Sequence, residues 1–349
     1  MNKNIKFFLG ANSDKGFVSY FEQLQDYKES LQLFVLKGGP GSGKSSLMKK
    51  IRNSSVLRNN HVENIHCASD PSSLDGFIDH TMGFAMIDGT APHVVDPHLP
   101  GARAHIINTG EFWDSDILSK SAEEINRLTM EISDYHKSAT AYIKAAAELI
   151  KENTRLSKER IKEKEARQFS KMITEAIANN DSPRECVRLL SAVTVGKVEF
   201  FSDTLSEYVE KVYVIDDPWG YSSDLILKEI RRAAHLKGTQ AIVCPCSVIP
   251  ERIEHIILPS EGIAISTRNY FHDSQKLYAA AGGFYNSLYC ESEMKKRQLA
   301  SQKMISLAAK SVEKAKLLHD DLEKYYTEAM DFSKIDTALD KIERKIFNK

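Results

Sequence analysis

The sequence predicts an α/β protein made of two similar halves. Each half is expected to contain a core with a parallel sheet, followed by a long helical, coiled-coil-like arm. Three observations lead to this prediction. They are a glycine-rich motif between a strand-like and a helix-like run, a heptad pattern after the first core, and a weak repeat of the first half in the second.

The glycine-rich motif lies in the stretch LFVLKGGPGSGKSSLMKKI, residues 33–51. Four residues occupy the fixed positions of G-x-x-x-x-G-K-[ST], the P-loop motif: Gly38, Gly43, Lys44 and Ser45. An apolar, strand-like run precedes the glycines, and a helix-like run follows them. This context favours a phosphate-binding loop, and a glycine-rich turn without a ligand is the alternative.

The loop composition suits a nucleoside triphosphate. Glycines allow a tight turn whose N–H groups converge on a phosphate, and the positive end of the following helix points at the same anion. We expect Lys44 to face solvent until it reaches the β- and γ-phosphates of ATP, and Ser45 to hold Mg²⁺. The guanine-reading N-K-x-D motif is absent, which favours ATP over GTP. The predicted phosphate-binding residues are Gly38, Gly39, Pro40, Gly41, Ser42, Gly43, Lys44, Ser45 and Ser46.

A carboxylate at the end of a later strand fits the metal site. The run 84–87 reads as a buried strand, and Asp88 follows it, where P-loop proteins place an acid that reaches the Mg²⁺ shell. Asp88 is therefore predicted to bind Mg²⁺ with Ser45 and to act in catalysis with Lys44. Asp70, which also follows a strand-like run, is the alternative. The segment 72–79 after it is expected to form a short helix.

Other polar residues are weaker candidates for a role in substrate binding or catalysis. The loop after Asp88 either contacts a substrate or satisfies local backbone groups. The further candidates are His93, Asp96 and His98 in this loop, Asn108 to orient a water, and Arg103 or Arg268 as an arginine finger.

A helical pattern begins near residue 116. Apolar residues step alternately by three and four over about four heptads, which is typical of a coiled coil: Ile125, Leu128, Ile132, Tyr135, Ala139, Tyr142, Ala146 and Leu149. A second arm repeats the pattern with Ile305, Ala308, Val312, Ala315, Leu322 and Ala329. We expect these seams to pack on each other, on a second copy of the chain, or on a protein partner.

The repeat indicates tandem P-loop NTPase-like cores, of which the second has lost its site. Residues 34–51 align with 213–230 at an offset of 179. At this offset Gly38, Gly43, Lys44 and Ser45 become Asp217, Ser222, Ser223 and Asp224. The predicted segments are a core with an intact phosphate site (1–115), a helical arm (116–190), a degenerate core (191–285) and a second arm (286–349). We therefore expect one nucleotide per chain.

Composition narrows the class of protein. The 349 residues carry a net charge of −1, which gives no reason to expect nucleic acid as a partner. No apolar run is long enough for a membrane span. Five scattered cysteines are typical of reduced thiols, so we expect a cytoplasmic protein.

Four stretches resemble an uncharacterised family of bacterial tandem P-loop ATPase-like proteins: FFLGANSDKGFVSYF, FVLKGGPGSGKSSLMKKI, HCASDPSSLDGFI and GFAMIDGTAPHVVDPHLPG. The resemblance implies the two-core architecture and ATP binding. In that family both halves commonly carry a P-loop, and here the second half departs from the pattern.

The sequence therefore predicts an ATP-binding protein that hydrolyses ATP slowly with Mg²⁺ and couples nucleotide state to its helical arms or a partner. One alternative is a small-molecule or nucleotide kinase, with residues 70–79 and 93–103 holding the acceptor. Another is a non-catalytic scaffold whose conformation depends on nucleotide.

Overall fold

The computed structural model describes residues 4–26, 31–180, 184–269, 280–286 and 291–347. Within these ranges the chain is an α/β protein with two six-stranded mixed sheets and two small two-stranded sheets. The predicted α/β class is confirmed.

Among the described residues up to 180, the elements are two runs of four strands on either side of one α-helix, followed by three α-helices. They are β1 (Ile5–Phe7), β2 (Gly10–Ser13), β3 (Gly16–Ser19), β4 (Gln32–Lys37), α1 (Lys44–Leu57), β5 (Val62–His66), β6 (Leu74–Asp79), β7 (Phe84–Asp88), β8 (Ala104–Asn108), α2 (Ser115–Lys120), α3 (Ala122–Ser157) and α4 (Glu163–Ala176).

The elements after residue 183 follow a similar order. They are β9 (Glu185–Val187), β10 (Ser191–Val193), β11 (Val198–Phe200), α5 (Asp203–Tyr208), β12 (Lys211–Asp216), α6 (Tyr221–Leu236), β13 (Ala241–Pro245), β14 (Ile253–Leu258), β15 (Ile263–Arg268), β16 (Ala280–Gly282), α7 (Glu291–Ala329) and α8 (Phe332–Phe347).

Contacts divide the chain into two compact units. The first unit consists of Met1–Lys6, Ser19–Lys137 and Ser311–Lys349, and the second consists of Phe7–Val18 and Ser138–Lys310. The first unit therefore combines pieces of three of the four segments predicted from the sequence, and the second unit combines pieces of all four.

The sheet of the first unit has the order β1-β5-β6-β7-β4-β8. β4 runs parallel to β7 and β8, whereas β6 runs antiparallel to β5 and β7. The prediction of a parallel sheet is therefore wrong for this part, as is the short helix over 72–79, where β6 lies. Only residues 80–83 separate β6 from β7, and a parallel connection needs a crossover of about a dozen residues.

The sheet of the second unit has the order β16-β12-β15-β14-β13-β9. β12 runs parallel to β15 and β16, and β14 runs antiparallel to its neighbours β13 and β15. This sheet is also mixed rather than parallel.

A helix from the opposite half of the sequence completes each core. In the first unit, α8 places an apolar stripe against α1 and the sheet: Ile335, Leu339, Ile342 and Ile346. In the second unit, Ala166 and Ile173 of α4 pack with α6 and the sheet. The first unit thus takes its last helix from residues 286–349, and the second unit takes α4 from residues 116–190.

Three of the eight predicted heptad positions in the first arm are buried and five are half-buried, whereas all six in the second arm are buried. Leu128, Val312, Ala315 and Leu322 are buried in the first unit, and Ala139 and Ala146 in the second. Among the described residues, no helix has both the length and the apolar character needed to cross a bilayer. The four cysteines within the described residues form no disulfide, and Cys290 lies outside those residues.

Candidate functional site

The glycine-rich loop of residues 38–43 joins β4 to α1 in the first unit. Gly43 precedes the helix with φ 78° and ψ 5°, a left-handed conformation that glycine adopts at little cost. At Gly38 a β-carbon would lie 2.2 Å from Thr109 Oγ1, so a side chain does not fit. Glycine is therefore needed at Gly43 for the backbone turn and at Gly38 for close packing against Thr109. The N-terminus of α1 follows this turn directly.

Lys44 is the first residue of α1 and is only 9% exposed. Its ammonium donates hydrogen bonds of 2.8 Å to the carbonyl oxygens of Gly38 and Gly39, and it lies 3.6 Å from Asp88 Oδ2. The expectation that this lysine faces solvent is wrong. A buried charge needs partners, and the loop carbonyls and Asp88 supply them.

Hydroxyl groups hold the loop to its neighbours. Ser42 Oγ donates to the carbonyl of Gly39 at 2.8 Å, and Thr109 Oγ1 lies 2.9 Å from Ser42 Oγ. Ser45 Oγ lies 3.0 Å from Ser73 Oγ. The side chain predicted to hold Mg²⁺ is therefore engaged with the loop before β6.

Asp88 ends β7, the strand beside β4. Its Oδ1 accepts hydrogen bonds from the backbone N–H of Thr90 at 2.9 Å and from the Thr90 hydroxyl at 2.5 Å. Its Oδ2 is the oxygen that faces Lys44. The structure thus brings together Lys44 and Asp88, the two residues predicted to be catalytic.

Asp70, the alternative to Asp88, has different partners. Its Oδ1 accepts from the backbone N–H and hydroxyl of Ser72, and its Oδ2 lies 3.5 Å from Lys316 Nζ. Burial acts to raise the pKa of Asp70, but the bonds from Ser72 and the charge of Lys316 outweigh it and lower this pKa. Asp70 therefore forms a turn and an ion pair.

A buried histidine–carboxylate pair lies beside Asp88. His93 is 6% exposed, and its Nε2 lies 3.3 Å from Asp75 Oδ2. Burial acts to lower the pKa of His93, but Asp75 and the charge of Asp88 outweigh it and raise this pKa. The sequence reasoning missed Asp75 because it assigned 72–79 to a helix. Periodicity gives no signal for it, because Phe77 and Ile78 are adjacent and both buried in this strand.

The remaining sequence candidates have local partners. Lys37 donates to Asp96 at 3.1 Å, His98 Nε2 lies 3.0 Å from Glu22, and Asn108 accepts from the N–H of Gly110 at the start of a 3₁₀ turn. Arg103 is exposed. Arg268 belongs to the second unit, where it pairs with Asp216.

The C-terminal part of α7 covers the glycine-rich loop, which the sequence did not indicate. Glu323 Oε1 accepts from the N–H of Gly41 at 3.4 Å. A β-carbon on Gly41 would lie 2.7 Å from the carbonyl oxygen of Glu323, and one on Gly39 would lie 3.0 Å from the Tyr326 ring. Glycine at these two positions therefore permits α7 to pack against the loop.

His319 lies one turn before Glu323 on α7, and its Nδ1 lies 3.7 Å from Glu323 Oε1. Burial lowers the pKa of His319, although Glu323 opposes this, and the charges of Lys316 and Lys44 lower it further. The charge of Asp320 acts to raise this pKa, so charges of both signs surround the point where the Glu323 carboxylate meets the loop.

The corresponding loop of the second unit, residues 217–220, contains its own anion. The carboxylate of Asp217, which is fully buried, accepts from the N–H groups of Trp219, Gly220 and Ser223 at 2.7–3.0 Å. Tyr285 donates its hydroxyl to the same carboxylate at 2.8 Å and accepts from the N–H of Ser222 at 2.8 Å. The amides that start α6 are thus occupied by internal groups.

The second loop is two residues shorter than the first, so the constant offset of 179 predicted between the two halves does not hold in the helices that follow β4 and β12. Strands β4 and β12 begin 179 positions apart, at Gln32 and Lys211, but the glycines that precede the helices, Gly43 and Gly220, are 177 apart. Gly220, with φ 82° and ψ 1°, is therefore equivalent to Gly43 rather than Gly41. Lys44 then corresponds to Tyr221 rather than to Ser223.

No protein-family model, curated protein or solved structure matches this chain.

Proposed function

We propose that the chain binds ATP in the loop of residues 38–46 and hydrolyses it slowly with Mg²⁺. The two units would be tandem P-loop NTPase-like cores, the second of them degenerate, and α3 and α7 would form the coiled-coil-like arms. The observation that carries the proposal is the position of Lys44. Its buried ammonium stands at the start of α1, against the loop carbonyls and 3.6 Å from Asp88.

Phosphate binding follows from the groups that this loop offers. The backbone N–H groups of residues 41–46 and the positive end of α1 favour an anion. Lys44 would exchange its bonds to the Gly38 and Gly39 carbonyls for bonds to phosphate oxygens. The exchange preserves partners for the ammonium, so its burial is compatible with binding.

We expect the residues beside the loop to hold a magnesium ion. Mg²⁺ prefers oxygen ligands, and the Ser45 hydroxyl and the Asp88 carboxylate would supply two of them. A bound ion would neutralise charge on the phosphates. Asp88 would also hold Lys44 in place, and Thr90 would hold Asp88.

The test is a binding and turnover assay on the full chain with Mg-ATP. Lys44→Ala should weaken ATP binding by about a hundredfold, because the ammonium is the group that meets the phosphates. Lys49→Ala, which removes an exposed lysine from the same helix, is the matched control and should bind as the parent does. Asp88→Asn should retain nucleotide binding but lose Mg²⁺-dependent turnover.

Three outcomes distinguish the alternatives. ATP binding that Lys44→Ala leaves intact would refute the proposed site. Tight binding without turnover would favour the nucleotide-dependent scaffold. Release of ADP only when an acceptor is added would favour the kinase. Circular dichroism melting of each variant separates loss of binding from loss of fold.

A further inference from the structure

One face of α7 lies against the glycine-rich loop of the first unit. Glu323, Tyr326 and Thr327 contact the loop, and a β-carbon on Gly41 would lie 2.9 Å from Thr327 Oγ1 and 2.7 Å from the Glu323 carbonyl oxygen. The loop glycines leave little room between helix and loop. Any ligand that reaches the N–H group of Gly41 therefore meets α7.

The group that accepts from Gly41 is a carboxylate, which has the same sign of charge as a phosphate. Glu323 Oε1 accepts this hydrogen bond at 3.4 Å, within the region where the backbone amides and the start of α1 favour an anion. Glu323 thus makes one of the contacts that a bound polyphosphate would make.

The second unit also has a carboxylate on the backbone amides at the start of its helix, but this carboxylate belongs to the loop itself. Asp217 accepts from three backbone N–H groups at 2.7–3.0 Å and is fully buried. Glu323 accepts one hydrogen bond of 3.4 Å from the loop, lies 3.7 Å from His319 Nδ1 on its own helix, and has a side chain that is 41% exposed. A carboxylate with one long bond and access to water can leave the loop, whereas a buried carboxylate with several short bonds cannot leave without breaking them all.

We propose that Glu323 is a built-in competitor of the nucleotide, whose carboxylate must leave the N–H of Gly41 before the phosphates bind. The inference rests on the proposed ATP site and adds its regulation. Docking of α7 on the loop and occupancy of the loop by phosphate then oppose each other. By linkage, nucleotide weakens the docking of α7 by the same factor as α7 weakens nucleotide binding.

The experiment is calorimetric titration of the full chain with Mg²⁺ and a non-hydrolysable ATP analogue. Glu323→Gln removes the charge, and Glu323→Asp shortens the side chain so that it no longer reaches Gly41. Both variants should bind the analogue about tenfold more tightly than the parent, a coupling within the usual range. Glu328→Gln, an exposed position on the same helix, should bind as the parent does.

A second measurement uses the unaltered protein. Hydrogen exchange of residues 311–329 should become faster when the analogue binds, because α7 loses its contact with the loop. Because this measurement needs no variant, it tests the competitor role even if neither Glu323 variant folds.

The results separate the two proposals. If the parent binds the analogue but the Glu323 variants bind equally or more weakly, or if α7 becomes more protected, the competitor role is refuted and the ATP site stands. If neither the parent nor any variant binds, the ATP site itself is refuted and the inference falls with it. Binding by the Glu323 variants alone would support both.

Discussion

At the scale of the residue, burial decides which groups the site can hold. Lys44 is nearly enclosed, so its charge requires partners even when no phosphate is present. The motif predicts a lysine at this position, but it carries no information on the carbonyl oxygens that hold the ammonium in the absence of ligand. Those partners follow from the path of the loop, which only the folded chain defines.

The His93–Asp75 pair predicts a pH dependence of stability. Its neighbours raise the pKa of His93 above the ordinary value of 6.5, so the pair stabilises the folded state fully below that pH. The contribution is lost as the pH rises through the raised pKa. His93→Gln, which is neutral at every pH, should therefore lower the melting temperature more at about pH 6 than at about pH 9.

His98→Gln is the matched control for this comparison. His98 and its partner Glu22 are both more than half exposed, so their ion pair contributes little. The effect of this control on the melting temperature should be small at both pH values. A His93→Gln effect that stays constant or grows towards about pH 9 would contradict the assignment.

At the scale of the element, α8 shows what a helical pattern does and does not predict. The sequence places a helical arm in 286–349, and its apolar residues are spaced for one buried face. The pattern does not say what covers that face. In the structure Ile335, Leu339 and Ile342 pack with Leu47 and Ile51 of α1 in the core of the first unit.

Leu339→Ala tests this packing. The substitution leaves a cavity between α8 and the sheet, and we expect it to cost about 3 kcal/mol in the free energy of unfolding. Urea denaturation, followed by circular dichroism, measures the cost for the transition of the first unit. Leu317→Ala, at a position that is 62% exposed, should change the free energy by less than about 0.5 kcal/mol. Equal effects at both positions would contradict the packing.

The sequence-based prediction differs most from the structure at β6, where it places a short helix over 72–79. Residues 74–79 contain Leu74, Phe77 and Ile78, and such a short apolar run does not distinguish a strand from a helix by periodicity. These residues form a strand because they pair with β5 and β7. Pairing between strands cannot be predicted from the sequence of one segment alone. The glycine-rich motif could be located from sequence because its chemistry is local.

At the scale of the whole molecule, the exchange of helices between halves could not be predicted from the order of the segments. The chain supplies α4 to the second unit and α8 to the first. A repeat in sequence predicts two similar cores, but each helical arm has the same pattern whichever core it covers.

A further prediction concerns how many nucleotides the whole chain binds. We expect one per chain, because Asp217 and Tyr285 occupy the amides of the second loop and Tyr221 stands where Lys44 would be. At an effective dielectric constant of about 20, a carboxylate about 4 Å from one phosphate charge costs about 4 kcal/mol. Titration with the ATP analogue should give a stoichiometry near one, and in Lys44→Ala this site should bind about a hundredfold more weakly.

Asp217→Asn is the control for the second loop. It removes the charge but supplies no lysine, so the stoichiometry should stay near one. A value near two in the parent, or a site of parental affinity that remains in Lys44→Ala, would mean that the second unit retains a site.

The positions of the two tryptophans have an optical consequence. The chain contains only two, and each stands at one of the glycine loops. The Trp113 ring lies near Gly39 and Gly110, with its centroid 5.7 Å from that of Tyr326 on α7, and Trp219 lies inside the second loop and is 6% exposed. The intrinsic tryptophan fluorescence of the protein therefore has one contribution from each loop. Phe in place of Trp113 would leave the spectrum of the second loop alone.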